Sequence, residues 1–224
     1  MTQDNRKKDI PMTLVVSIML VALGMNHTLW GMGQSDSLSR AEGIFFLLAF
    51  AAYLWYCFKF GSKSENEPSG QKPVRISMAV TLIILGLAAL IFGGEMLVKN
   101  ATKLAKAVGA SDKFIAVTIL AGGTSFPELA TSIVAASKRK DQLALGNILG
   151  SNVFNILFIL GCSSIITPLS FSGMDLVDAG MLVLSSAVLL LWAYTGKKCR
   201  IDRWEGAVML LLFTAYYYYL FTKI

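Results

Sequence analysis

Seven stretches of this chain are apolar for about 20 residues each, and no other feature of the sequence restricts its fold so strongly. At 1.5 Å rise per residue, each is long enough to cross a hydrocarbon layer about 30 Å thick. They run from Ile10 to Gly31 (span A), Ala41 to Phe60 (B), Ile76 to Val98 (C), Asp112 to Ser137 (D), Leu143 to Leu169 (E), Met174 to Thr195 (F) and Trp204 to Thr222 (G). A segment in lipid has to satisfy its own backbone hydrogen bonds, so these spans predict an all-α integral membrane protein in a lipid bilayer. The mean hydropathy of +0.61 supports this over a soluble fold. Arg6, Lys7 and Lys8 ahead of span A would also suit a signal peptide, but the apolar run lacks a small-x-small cleavage site.

Charge then sets the orientation. With seven spans, the N-terminus and the B–C, D–E and F–G connections share one side, and most of the 20 Lys and Arg residues fall there. Examples are Lys7, Lys8, Arg75, Arg139, Lys140 and Arg203. The positive-inside rule makes that side the cytoplasm, in a cell (inner) membrane, with the C-terminus outside. Lys99, Lys103, Lys106 and Lys113 break the pattern, and their spacing predicts that helix C continues beyond the bilayer as an amphipathic extension. Basic residues scattered over short loops give no support to nucleic-acid binding. Cys57, Cys162 and Cys199 show no pairing pattern, and neither a disulfide nor a zinc site is expected.

The chain also contains a repeat. SRAEGIFFLLAFAAYLWYCF, from Ser39, aligns with DRWEGAVMLLLFTAYYYYLF, from Asp202, at a constant offset of 163. Arg40 and Arg203, Glu42 and Glu205, Gly43 and Gly206, Tyr53 and Tyr216, and Tyr56 and Tyr219 coincide. MTLVVSIML at Met12 and MDLVDAGML at Met174 extend the match at an offset of 162. Spans A and B are thus relatives of F and G. Because G is the fifth span after B, with four spans between them, the related helices cross in opposite directions, an inverted-topology repeat of the kind secondary transporters use. Residues 1–60 then read as the last two helices of a first five-helix repeat, 61–75 as a cytoplasmic linker and 76–224 as the second repeat. Seven of an expected ten helices are present, and about 90 residues carrying the other three are expected upstream.

Polar residues in spans D and E point to a site. Glu128 lies nine residues before Ser137, about 14 Å deep and near the bilayer midplane. A carboxylate there costs several kcal/mol and usually faces a functional cavity. Pro127 removes a backbone donor, while Gly122 and Gly123 let the chain leave the helix, so carbonyls near Ala121 to Gly123 need partners that a cation would supply. Thr124 and Ser125, four and three residues before Glu128, share its face. In span E, Asn147, Ser151 and Asn155 recur every fourth residue as a polar stripe beside Gly146 and Gly150. For Asn147, Asn152, Thr131 and Ser132, helix-to-helix glue and ion binding are both open. Glu42, Glu95, Asp178 and Glu205 lie near span ends, where headgroup contacts or structural pairing explain them.

Together, G-T-S-x-P-E-x-A-T-S from Gly123 and G-N-x-x-G-S-N-x-x-N from Gly146 resemble the second of the paired motifs of the cation/calcium exchanger superfamily, close to its bacterial sodium/calcium antiporters. The resemblance implies a ten-helix antiporter of two inverted halves, each giving one motif to a central cation site. Carried onto this sequence, it makes Glu128 a shared Ca2+ and Na+ ligand and gives Thr124 and Ser125 oxygen-donor roles. It also implies that the Ala121 carbonyl binds Na+ and that Ser151 and Asn155 complete this half. No cofactor is implied, since Ca2+ and Na+ are cargo.

Two departures bear on function. Several family members carry aspartate where this chain has Asn155, which leaves K+ or H+ open as the counter-ion. The first motif is absent, and Ca2+ prefers about 6 to 8 oxygens, usually with more than one carboxylate, so transport is expected to need the missing half or another subunit. A non-transporting half that pairs with a partner subunit is the other reading. An intramembrane hydrolase at Ser125 or Ser151 lacks a base, because the one histidine, His27, lies near the end of span A and no G-x-S-x-G occurs, so no enzymatic activity is expected.

Overall fold

The computed structural model describes residues 9–33, 35–60, 75–109, 115–171, 173–195 and 201–223. Apart from two short strands, the described residues fold into helices: α1 (Ile10–Gly24), α2 (Asn26–Trp30), α3 (Arg40–Phe60) and α4 (Ile76–Ala107). A π-helical turn, Ile115–Leu120, then leads through α5 (Ala121–Thr124) to α6 (Phe126–Ser137). Next, α7 (Asp141–Phe154) continues through a second π-helical turn, Asn155–Leu160, into α8 (Gly161–Ile166), followed by α9 (Leu176–Thr195) and α10 (Arg203–Lys223). Residues 61–74 of the expected linker, Cys199 and Lys113 lie outside the described residues.

Among the described residues, Arg40–Lys59, Ile76–Ala107, Asp141–Ile166 and Leu176–Thr195 are long and apolar enough to cross a membrane. The pair Thr118–Thr124 and Phe126–Ser137, bent by 52° at the break between them, makes a fifth if the two are taken as one span. Span A is shorter than its apolar run suggests. It breaks at Met25 (φ −103°, ψ 41°), leaving α1 with 15 residues, about 22 Å. The cause lies downstream, where Asp36 accepts the Thr28 N–H at 2.8 Å and the Thr28 hydroxyl, fixing α2 as a separate turn. Helix α10 has sufficient length, but Tyr216 to Tyr219 lower its hydropathy. Helix α4 runs for 32 residues, about 48 Å, the extended helix that the lysine spacing predicts.

The core lies where α1 and α3 meet α7 and the π turn that follows it. Val16 and Leu20 of α1, Phe46 of α3 and Val153, Ile156 and Leu157 of α7 and its π turn bury one another, and Leu38 belongs to the same cluster. Close approach depends on one glycine: a Cβ at Gly43 would stand 2.1 Å from Ser164 Oγ and 2.8 Å from the Gly161 carbonyl oxygen. α1 packs on α9 through Ser17 and Ser186, whose hydroxyls pair at 3.2 Å. A two-stranded antiparallel clip, β1 (Ser37–Leu38) with β2 (Leu169–Ser170), joins the loop after α2 to the loop after α8. The Phe171 N–H adds a bond to the Asp36 carbonyl at 2.9 Å.

The repeated R-x-E-G strings start two helices by the same device. The Ser39 N–H donates to Glu42 Oε2 at 2.6 Å, and the Asp202 N–H donates to Glu205 Oε2 at 2.7 Å, so each glutamate reaches back to satisfy a donor at the head of its own helix. These carboxylates are structural, as their positions suggest, and so is Asp178, which accepts from the Tyr216 hydroxyl at 2.8 Å.

Candidate cation site

The site grows out of the break between α5 and α6. A helix would bond the Gly123 carbonyl to the nitrogen of residue 127, but Pro127 has no N–H. The Gly123 carbonyl instead accepts from the Ser125 N–H, and Ser125 turns the chain at φ −91°, ψ 2°. The Thr124 hydroxyl donates to the Ala121 carbonyl at 2.9 Å. Of the carbonyls that the sequence leaves orphaned, those of Ala121 and Gly123 therefore already have protein partners, each using one of two lone pairs. Thr124 spends its proton on a carbonyl and so presents only lone pairs outward, the arrangement a cation needs. The Ser151 hydroxyl does the same, donating to Ile148 O at 3.1 Å.

Glu128 sits in the first turn of α6, where a negative charge complements the helix N-terminus. Its Oε2 is buried and has no hydrogen-bond partner, one of two such side-chain atoms among the described residues. A buried carboxylate oxygen without a donor is costly, and a bound cation relieves that cost.

Helix α7 lies antiparallel to α6 and is pinned to it by Asn147, whose amide nitrogen is 3.1 Å from Glu128 O, 2.9 Å from Thr131 Oγ1 and 2.9 Å from Ser132 Oγ. That register puts Ser151 one turn, and Asn155 two turns, further toward the break. Ser151 is half-buried, whereas Asn155, Ala121, Thr124 and Ser125 are exposed. Asn155 opens the second π turn, a distortion that often accompanies functional sites. The described residues contain no group of three or more His, Cys, Asp or Glu able to hold a metal.

Sequence reasoning missed two contacts. Gly123 lies within a helical turn, and its missing side chain makes room for a neighbour: Val98 Cγ2 of α4 is 1.9 Å from where a Cβ would stand. Beside it, a cavity of about 500 Å³ lined by Glu95, Val98, Thr124 and Pro127 separates α4 from the break. The small-residue pair was visible in sequence, but which helix fills the gap was not.

Comparison with known proteins fits this geometry. The family model for the sodium/calcium exchanger protein matches residues 78–222. The chain belongs to that family. It is 39% identical over 201 residues to CaxA of Alkalimonas amylolytica, covering 84% of this chain and 62% of that protein. It is 36% identical over 140 residues to the sodium/calcium exchanger MaX1 of Methanosarcina acetivorans, covering 62% of this chain and 39% of that one. The solved sodium-calcium exchanger NCX_Mj, soaked with Na+ and Ca2+, superposes with a TM-score of 0.74 at 32% identity, over 96% of this chain and 65% of its own. This member of the exchanger family therefore spans less than two thirds of the length of each of these relatives, and it is a multi-pass membrane protein.

Proposed function

We propose that this chain supplies one half of the cation site of a sodium/calcium antiporter, exchanging Na+ for Ca2+ by alternating access. The observation that carries the reading is the buried, unpartnered Oε2 of Glu128 beside a proline-broken span, in a member of the exchanger family. Glu128 is the shared ligand. Thr124, Ser125 and Ser151 give neutral oxygens, the Ala121 carbonyl takes Na+, and Asn155 completes this half. The two cations compete for the same oxygens, so binding one expels the other. α4, whose buried residues are Gly94 and Ala105 alone among its 32, is the mobile element that slides past the fixed pair α6 and α7.

The complementary half is a first inverted repeat whose last two helices are α1 and α3, so that this chain carries seven of ten helices. The linker at residues 61–75 is cytoplasmic and the C-terminus is outside. Paired grooves support the repeat: Met12, Ala49 and Tyr53 line one between α1 and α3, and Met174, Leu212 and Tyr216 line its counterpart between α9 and α10. Each pair of residues is related by the offset of 162 or 163 found in the sequence.

The test is Na+-driven 45Ca uptake by vesicles carrying the whole antiporter. Glu128→Gln keeps the shape and removes the charge that offsets the lost hydration of a divalent ion, so uptake should vanish. Asn155→Asp adds a titratable group and should make transport pH-dependent. Wild-type uptake in Glu128→Gln would mean that the carboxylate is structural and that the site assignment is wrong.

A further inference from the structure

We propose that Asn147 is the positioning residue of the cation site, acting on Glu128 through that residue's own peptide. The inference rests on the exchange reading of Glu128 and answers a question that the sequence leaves open, whether Asn147 is glue or function.

An asparagine amide has two protons, and here it faces three acceptors on the other helix. Their identity gives the arrangement its meaning. Thr131 donates its own proton to Pro127 O at 2.9 Å or Glu128 O at 3.0 Å, so its oxygen is left to accept from Asn147. Ser132, the third acceptor, is buried. The carbonyls of Pro127 and Glu128 thus lie under a lattice of two side chains, Thr131 from the same helix and Asn147 from the facing one. Just upstream, Pro127 gives α6 no N–H with which to hold the preceding turn. The first turn of α6, which carries the carboxylate, is therefore fixed from the far side by one amide. Helix glue would need only some donor meeting some acceptor. This amide meets the carbonyl of the residue whose carboxylate is unpartnered, and ligands held this way lose about 10–100-fold in metal affinity or activity when the support is removed.

The choice of residue follows. Aspartate matches asparagine in shape but, ionised, offers no donor and sets a negative oxygen against the Glu128 carbonyl. Glutamine carries the donors on a stem one carbon longer than the register allows. Asparagine alone of the three combines this reach with two protons.

The experiment compares Asn147→Ala and Asn147→Asp with wild type in the whole antiporter, reading KM for Ca2+ separately from kcat per folded molecule. A positioning role predicts that both variants raise the KM for Ca2+ about 10-fold or more. Combined with Glu128→Asp, whose shortened carboxylate is already displaced, Asn147→Ala should add little further loss. An unchanged KM, with any deficit confined to the amount of folded protein, overturns the proposal and leaves Asn147 as glue. If Asn147→Ala does not fold, the isosteric Asn147→Asp carries the same test. If wild type takes up no Ca2+, the exchange reading fails separately. The proposal is then read from the Ca2+ concentration that raises the melting temperature of the purified protein, expected about 10-fold higher in both variants and refuted by coincident curves.

Discussion

Replacing Gly43 by alanine tests both the packing of the core and the repeat from which it is inferred. The added Cβ would lie 2.1 Å from Ser164 Oγ and 2.8 Å from the Gly161 carbonyl. Ser164 can swing its hydroxyl aside, but it then gives up its 3.0 Å bond to Gly161 O, worth about 1 kcal/mol. The carbonyl cannot turn, so α3 must back away from α8 by a few tenths of an ångström along a tightly packed seam, costing about 1–3 kcal/mol. Alanine's better helix propensity returns about 1 kcal/mol, which leaves a net loss of about 2 kcal/mol. For a chain of this size that is a fall of about 4–8 °C in a reversible melt followed in detergent. Adding Ser164→Ala should recover only part of it, since the carbonyl clash remains. Gly161→Ala should cost less, because its nearest neighbours are 3.1 Å and 3.2 Å away. The repeat mate Gly206 has nothing within 4 Å of its would-be Cβ, so Gly206→Ala should be harmless in this chain. In the complete antiporter it should cost as much as Gly43→Ala, because the inverted repeat would seat a helix there. A Gly43→Ala protein that melts with wild type would refute the packing argument. A Gly206→Ala antiporter that does so would refute the repeat.

Orientation is open to chemical labelling. With Cys57 and Cys162 replaced, Cys199 should react with an impermeant thiol reagent only from the cytoplasmic face, and a Lys223→Cys variant only from outside; labelling of both from one face would remove the inverted repeat. Beside the two-stranded clip, the hydroxyl and N–H of Thr28 hold the Asp36 carboxyl below the ordinary aspartate range. A carboxyl depressed in the folded state stabilises fully above its unfolded pKa of about 3.9, and that stabilisation drains away as pH falls through the lower folded value. Stability should thus hold down to about pH 4 and decline below it, and Asp36→Asn should be less stable at neutral pH and lack that Asp36-dependent acid step.

Much of this architecture was legible in the sequence because lipid removes alternatives. Without water to satisfy the backbone, hydrophobic length alone identifies α3, α4, α7 to α8 and α9. It misjudged α1, since an apolar run does not register a capping contact made by Asp36 from beyond the helix. It overlooked the clip, whose two-residue strands carry too little pattern to detect. At the site, Glu128, Thr124 and Ser125 stood out by chemical type in an apolar setting, and Pro127 foretold the bend. The partners of the freed carbonyls were not foreseeable, because Thr124 and Ser125 reach them by local geometry that opens only once the helix has broken. Asn147 was readable as polar but ambiguous, since spacing places a side chain on a face without saying what it meets there. The sequence motif R-x-E-G carried two messages at once: it suggested a repeat, and it marked how each of two helices starts.

The depth of Glu128 also gives the site an electrical position. A cation held there, about 14 Å from one face of a layer about 30 Å thick, has crossed roughly half of the membrane field. Each elementary charge moved through the whole field changes energy by about 2.3 kcal/mol per 100 mV, so a divalent ion reaching the midpoint from one side gains or loses about that amount. That is about a 50-fold change in its apparent affinity for every 100 mV. A monovalent ion at the same depth feels half as much energy, about a 7-fold change. In the exchange reading, placing one carboxylate at the middle of the bilayer would therefore make membrane voltage a selector between ions of different charge, biasing occupancy on each face without any change in the ligands themselves.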